Sequence, residues 1–453
     1  MAAERIRRAA PIVLAALLML WPALLNGYPL VFADTGTYLS QAIDHSLGWD
    51  RPVFYSFFLL SLHMQLTTWP VIAAQALLAA WLLHLLRRCV FPNTSGWWLV
   101  PVVAVLCVAS PLPWFVSQLM PDVFTGLLVI ALALPIAVPA RLSRRARVLL
   151  SGFGVFAVAV HTSHLPLALG LIVVLVPLRR WLGAEGPLGR AGLARVLAVP
   201  ALATCALVGA NLVGHGRAAV APFGNVFLLA RVLYDGPGLD ALAKHCPAAG
   251  WRLCAYLGQF PGDSDRFLWS TNSPLQRAGG ARLVSTEADA IVATALRDEP
   301  GREARAFAAN TLSQLTRFAT GDGLDPWPAT VRPVIARAFP PGELAAYDAA
   351  RQSRRGVAIP AGLRTLHRMA AVAGVIACCA LPFLRRREPV ALVAVAILLA
   401  LLGNAVVTGG LSAPHDRYQA RLIWLAICLP VLAGPVLLRD WLGERTRIAM
   451  VRS

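Results

Sequence analysis

About ten stretches of this 453-residue chain are apolar over nearly the length needed to cross a bilayer, and that pattern limits the fold more than any single motif does. They fall at 10–26, 69–86, 97–112, 122–139, 149–161, 164–178, 196–214, 369–384, 390–408 and 421–438. A hydrophobic fraction of 57% with only 14% charged residues exceeds what a soluble domain of this size needs. The expected fold is therefore an all-α polytopic membrane protein of about ten transmembrane helices. Several segments carry proline (Pro166, Pro200, Pro430), and the pair around His161-Thr-Ser-His164 reads as one broken hairpin. The first segment has the basic start of a signal peptide. It runs too long and lacks a small-x-small cleavage site before Asp34, so it reads as a retained anchor.

Arginine placement gives an orientation. Outside a hydrophilic insert at 215–365, twenty of 24 basic residues fall on one side of the expected spans: Arg5, Arg7, Arg8, Arg87, Arg88, Arg141, Arg144, Arg145, Arg147, Arg179, Arg180, Arg190, Arg195, Arg385, Arg386, Arg387, Arg439, Arg445, Arg447 and Arg452. By the positive-inside rule that side is cytoplasmic and holds both termini, as in a multi-pass protein of a bacterial inner membrane. The chain then divides into an N-terminal transmembrane module, 1–214, with a first extracytoplasmic loop at 27–68; a mainly helical extracytoplasmic insert, 215–365; and a C-terminal transmembrane module, 366–453. The net charge of +18 follows mostly from this topology and from attraction to anionic membrane lipids. Nucleic acid is not a partner this pattern supports, since Lys244 is the sole lysine against 40 arginines.

The acids sort in the same way. Glu4, Glu185, Glu388, Asp440 and Glu444 lie among the cytoplasmic arginines, where solvated ion pairs account for them. Asp34, Asp44, Asp50, Asp122 and Asp416 gather on the other face, where a general base, a metal site or a cation path would need them. Asp34 heads a loop with Tyr38, Asp44, His45, Asp50, Arg51 and Tyr55. Two readings stand for it: a functional carboxylate at the lipid–water boundary, or a helix cap before Thr35 and Thr37. Asp122, after Pro121, has the same two readings. Arg51, Arg417 and Arg421 are external arginines able to grip phosphate with two prongs, with snorkelling to the boundary as the second reading of Arg421. His161 and His164 flank a membrane turn, either as packing and hydrogen-bonding residues or as acid–base or metal groups.

The insert has 17 basic and 13 acidic residues and little room for an independent core. Residues 285–298 and 301–320 read as helices, the second placing Phe307, Leu312, Leu315 and Phe318 near one face, to lie on the bilayer or to cover a cavity. The Gly258–Gly280 stretch, with Asp263-Ser-Asp-Arg266 and Trp269, reads as ordered loops. Cys246 and Cys254, the two cysteines on the oxidising side, suggest a disulfide; no second ligand pair follows them at zinc spacing.

An external loop with Asp34 near its start, the Arg51-Pro52-x-x-Tyr55 run, Pro121-Asp122 opening the fourth segment and Arg417-Tyr418 opening the last together resemble the GT-C class of membrane glycosyltransferases, over residues 10–140 and 390–438. The resemblance implies that Asp34 is the catalytic base, Asp122 a second acid and Arg417 a contact to the donor phosphate. Arg51, Tyr38, Tyr55, Tyr418, His161 and His164 complete the expected substrate-binding set. The donor would be a polyprenyl-phosphate sugar, the lipid-linked partner, and transfer would occur on the external face. In that class the loop acid serves as base or metal ligand, so a divalent metal stays open. The single Asp34 followed by threonine departs from the paired-acid form of the pattern. Two other classes remain open from the residues: a lipid or small-solute transporter or flippase, which boundary acids and the in-helix Asn211 and Asn404 also suit, and a non-catalytic envelope assembly protein whose insert binds a partner.

Overall fold

The computed structural model describes the backbone of residues 2–452 and the side chains of residues 9–440 and 442. Expectations for Glu4, Arg5, Arg7, Arg8, Glu444, Arg445, Arg447 and Arg452 lie outside the described side chains. Among the described residues every regular element is a helix, with one isolated bridge between Leu30 and Gln118. Six helices are long and apolar enough to cross a membrane: Ala9–Asn26, Trp69–Val90, Gly189–His215, Ala361–Leu384, Pro389–Gly410 and Asp416–Asp440. The other expected spans form shorter helices, among them Gly96–Ala109, Val123–Ala137 and His164–Leu178. Their ends are set by residues that stop a helix, such as Pro111 after Ser110 and Pro139 after Val138.

Val123–Ala137 is the axis of the bundle. All of its residues but Pro135 are buried, and it packs against Trp69–Val90, Arg144–Ala159, His164–Leu178, Pro389–Ala405 and the last helix. A helix apolar on every side is stable there because every side meets protein. The arginine-bearing connections meet at one end. Arg141 donates to the Cys89 carbonyl and pairs with Glu185, Arg179 donates to the Ile136 carbonyl, and Arg385 pairs with Glu388 and Asp440.

The opposite end carries the 27–68 loop, the Pro121-Asp122 turn, the 161–163 turn and residues 216–360. This last stretch has two parts. Helices Asn225–Tyr234, Gly238–His245, Ser264–Trp269 and Gly280–Asp298 share a core of their own around Leu229, Leu233, Phe267 and Ile291. Cys246 and Cys254 form a disulfide beside it. Residues 331–350 instead join the main core through Val331, Ile335, Phe339 and Tyr347. There the buried Glu343 carboxylate accepts from Tyr28 Oη (2.7 Å) and from Thr68 N and Oγ1 (2.8 Å each), tying the insert to the first loop. Two glycines permit the close contacts that hold this arrangement: a Cβ at Gly36 would stand 2.0 Å from the Thr330 carbonyl oxygen, and one at Gly409 would stand 2.6 Å from Gln314 Cβ. Through Gly409 and Gly410, helix Pro300–Thr316 lies against the end of Pro389–Gly410, so its Phe307 packs on protein while Leu312 stays exposed.

Candidate functional site

Thr35, not Asp34, fixes the turn into helix Thr35–Ile43. Its Oγ1 accepts from Phe32 N (2.9 Å) and donates to the Leu119 carbonyl (3.1 Å). The Asp34 carboxylate makes no cap bond and meets Arg51 Nη2 at 2.8 Å, with Arg417 Nη2 at 3.9 Å. Asp50 sits 3.6 Å from Arg51 Nε on the other flank of the same guanidinium.

Asp122 behaves likewise. It makes no cap bond; its Oδ1 lies 3.2 Å from Arg421 Nη1 and 3.9 Å from Arg417 Nε. Asp50, Arg51, Asp34, Arg417, Asp122 and Arg421 thus form an alternating string of acids and arginines, running from the first loop into the bundle. The snorkelling reading of Arg421 is corrected: it is fully buried, and it donates to Asn404 Oδ1 (3.0 Å) and Ser163 Oγ (3.1 Å) with His161 Nε2 at 3.3 Å. The reason is helical spacing, since Arg417 and Arg421 stand four residues apart on one helix and share a face.

A cavity of about 610 Å³ opens on the outer end of this string. Asp34, Arg51, Arg417 and Tyr418 line it, together with Asp50. Asp122 and the other expected contacts lie behind its wall. Tyr38 and Tyr55 are buried edge to face, ring centroids 5.0 Å apart, with Tyr55 Oη donating to Gln75 Oε1 at 2.8 Å. His164 has both ring nitrogens engaged, by Thr125 Oγ1 (2.7 Å) and the Ala157 carbonyl (2.6 Å), and His161 stacks on it at 5.0 Å. Those bonds are what a structural histidine makes.

The far wall comes from the insert, which sequence reasoning did not connect to the site. Arg231, Asp265, Trp269, Asp322 and Trp327 line the cavity. Trp269 faces Arg51 with its ring 5.8 Å from the guanidinium carbon, Asp322 Oδ2 accepts from Arg417 N at 2.9 Å, and Asp265 meets His415 at 3.5 Å. The hydrogen bond from His415 holds the Asp265 carboxyl below its usual range. Burial, opposed by Arg51, pushes the Asp50 carboxyl up, and burial pushes the Tyr38 phenol far up, so Tyr38 stays neutral. The Gly321-Asp322-Gly323 turn and the polar Asp263–Trp269 run were the available signals for this wall.

Asp322 and His415 also border a second cavity of about 480 Å³, which carries Arg317, Arg355 and Arg364. None of these three has a carboxylate within 4.0 Å among the described residues. Arg355 is shared with an apolar groove of about 560 Å³ along Trp21, Leu25, Trp114 and Leu363, between the first span and Ala361–Leu384.

Among the described residues no three His, Cys, Asp or Glu side chains converge as metal ligands. Asp34 and Asp50 both already face a guanidinium, so this donor set does not fit a divalent cation. Comparison with protein-family models, with curated proteins and with solved structures gives no match. The chemistry therefore rests on the geometry: a carboxylate open to a cavity, beside an arginine whose Nη1 is buried without a hydrogen-bond partner.

Proposed function

We propose that this chain is a polytopic membrane glycosyltransferase of the GT-C kind, moving a sugar from a polyprenyl-phosphate donor to an extracytoplasmic acceptor. The observation that carries the reading is one juxtaposition. The Asp34 carboxylate and Arg417 share a cavity; across its Asp322–His415 wall lies a second cavity with three arginines that have no carboxylate within 4.0 Å among the described residues, and that second cavity adjoins, at Arg355, an apolar groove between two membrane helices. The groove suits a lipid chain and the arginines suit its phosphate. In the reaction Asp34 accepts the proton of the acceptor hydroxyl as its oxygen bonds to the anomeric carbon. The bond from that carbon to the phosphate oxygen breaks, and the phosphate leaves with the electron pair toward Arg417. Asp122 acts by holding Arg417 and Arg421 rather than by touching substrate.

In this reading the six long helices together with Gly96–Ala109, Val123–Ala137, Arg144–Ala159 and His164–Leu178 make ten crossings. The arginine-rich end and both termini face the cytoplasm of a bacterial inner membrane, and residues 216–360 lie outside it. A charged cluster at one end of the bundle favours transfer over transport, which needs its site near the midplane.

The test is turnover of a radiolabelled polyprenyl-phosphate sugar by the purified protein. Asp34→Asn removes the proton acceptor and keeps the shape, so the rate should fall on the order of 10²–10⁴-fold with folding intact. Turnover at the parent rate in Asp34→Asn would defeat the assignment.

A further inference from the structure

A pocket of about 270 Å³ lies at the arginine-rich end, away from the cavities above, between helices Val123–Ala137, Arg144–Ala159 and Gly189–His215. Its floor is apolar (Ala131, Leu132, Val196, Val199), and Arg147 and Arg195 stand over it from two different helices. Neither arginine has a carboxylate within 4.0 Å among the described residues. Arg147 Nε is buried and has no hydrogen-bond partner. On the same two helices, Val148, Leu197 and Leu202 are 62%, 47% and 56% exposed, which is what side chains facing acyl chains look like once the lipid is stripped away.

We propose that this pocket binds the phosphate of an anionic phospholipid. Two guanidiniums with no carboxylate near them among the described residues, set over an apolar slot between membrane helices, match a headgroup phosphate with its glycerol and first methylenes below. The acyl chains then run along Val148, Leu197 and Leu202. Arg180 and Arg386 also lie at this end, outside the lining of this pocket. This inference needs only that the helices cross a bilayer and is independent of the glycosyltransferase reading.

The experiment uses the full-length protein purified in detergent, with binding read by native mass spectrometry. Phosphatidylglycerol should bind, whereas phosphatidylcholine and inorganic phosphate at equal concentration should not. Arg147→Gln with Arg195→Gln should weaken phosphatidylglycerol binding on the order of 30-fold, taking each arginine as a membrane-surface contact. The control pair Arg180→Gln with Arg386→Gln, which makes the same change in charge at the same end, should change it less than about threefold. Ser151→Phe fills the slot and keeps both arginines; it should also abolish binding, and it decides the matter if the arginine pair does not fold. Parent-level binding in either pocket variant, or equal binding of phosphatidylcholine or of inorganic phosphate, overturns the proposal.

Discussion

Asp122→Asn separates two roles that the sequence leaves equal. As a helix cap, asparagine replaces aspartate with almost no loss, within a few tenths of a kcal/mol. As the partner of a buried arginine, the same change removes the one carboxylate that Arg421 meets among the described residues. The 3.2 Å separation corresponds to a gross attraction of about 5 kcal/mol at an effective dielectric of 20. Removing one member of such a buried pair costs about 3–5 kcal/mol. Arg421 keeps its bonds to Asn404 and Ser163, so the lower end, about 3 kcal/mol, is expected. That is about two decades in the folding equilibrium. Unfolding by sodium dodecyl sulfate in mixed micelles, followed by tryptophan fluorescence, measures it. The double variant Asp122→Asn/Arg421→Gln should recover at least half of the loss, because no unpaired cation then remains on that side. A single variant within about 0.5 kcal/mol of the parent would refute the ion-pair account and restore the cap.

Arg417→Lys should raise the donor KM more than the acceptor KM, because lysine keeps the charge but not the planar fork; equal effects on both would argue against a phosphate contact. Gly126→Ala should destabilise by about 1–3 kcal/mol in the same micelle titration, since its Cβ would stand 2.6 Å from Trp424 Cζ2 in the centre of the bundle. The Arg337 guanidinium holds the Asp44 carboxyl below its usual value, so the pair's contribution is present above the ordinary aspartate pKa and lost as pH falls through the lowered folded value. Both side chains are partly exposed, so the stability gap between the parent and Asp44→Asn should be at most about 1 kcal/mol at pH 7 and should close once the pH is taken below the lowered folded value.

The apolar runs marked where helices lie, because burial in lipid and burial in protein demand the same side chains. For that reason they did not reveal that Val123–Ala137 is sheathed by other helices, although the breaks near Pro111, Pro139 and the 161–163 turn were visible in where the runs end. Asp34, Arg51 and Arg417 were legible as a group because each sits at a helix end on the arginine-poor face. Arg421 was legible only in part: its distance from Arg417 was visible, but its partners Asp122, Ser163 and Asn404 come from three other segments and only packing brings them together. The insert's wall of the cavity was the least legible part. Asp265, Trp269 and Asp322 lie in stretches without periodicity, and what seats them is packing of Phe267 and Leu268 in the insert's own core and contacts to His415 and Arg417 far along the chain, which pattern reading does not see.

The alternating string also explains why two acids in one network should fail differently. With three carboxylates and three guanidiniums it is neutral, so its burial costs far less than that of an isolated charge. Asp34 lies in its middle: removing that charge leaves Arg51 with Asp50 and Arg417 with Asp122, and each arginine keeps a partner. Asp122 lies next to the inner end, and without it Arg421 has no carboxylate within 4.0 Å among the described residues. Loss at Asp34 should therefore appear as chemistry with stability kept, and loss at Asp122 as stability first, with activity following through the misplacement of Arg417. If Asp34→Asn unfolded the protein while Asp122→Asn left it intact but inactive, the catalytic acid would have to be moved to Asp122.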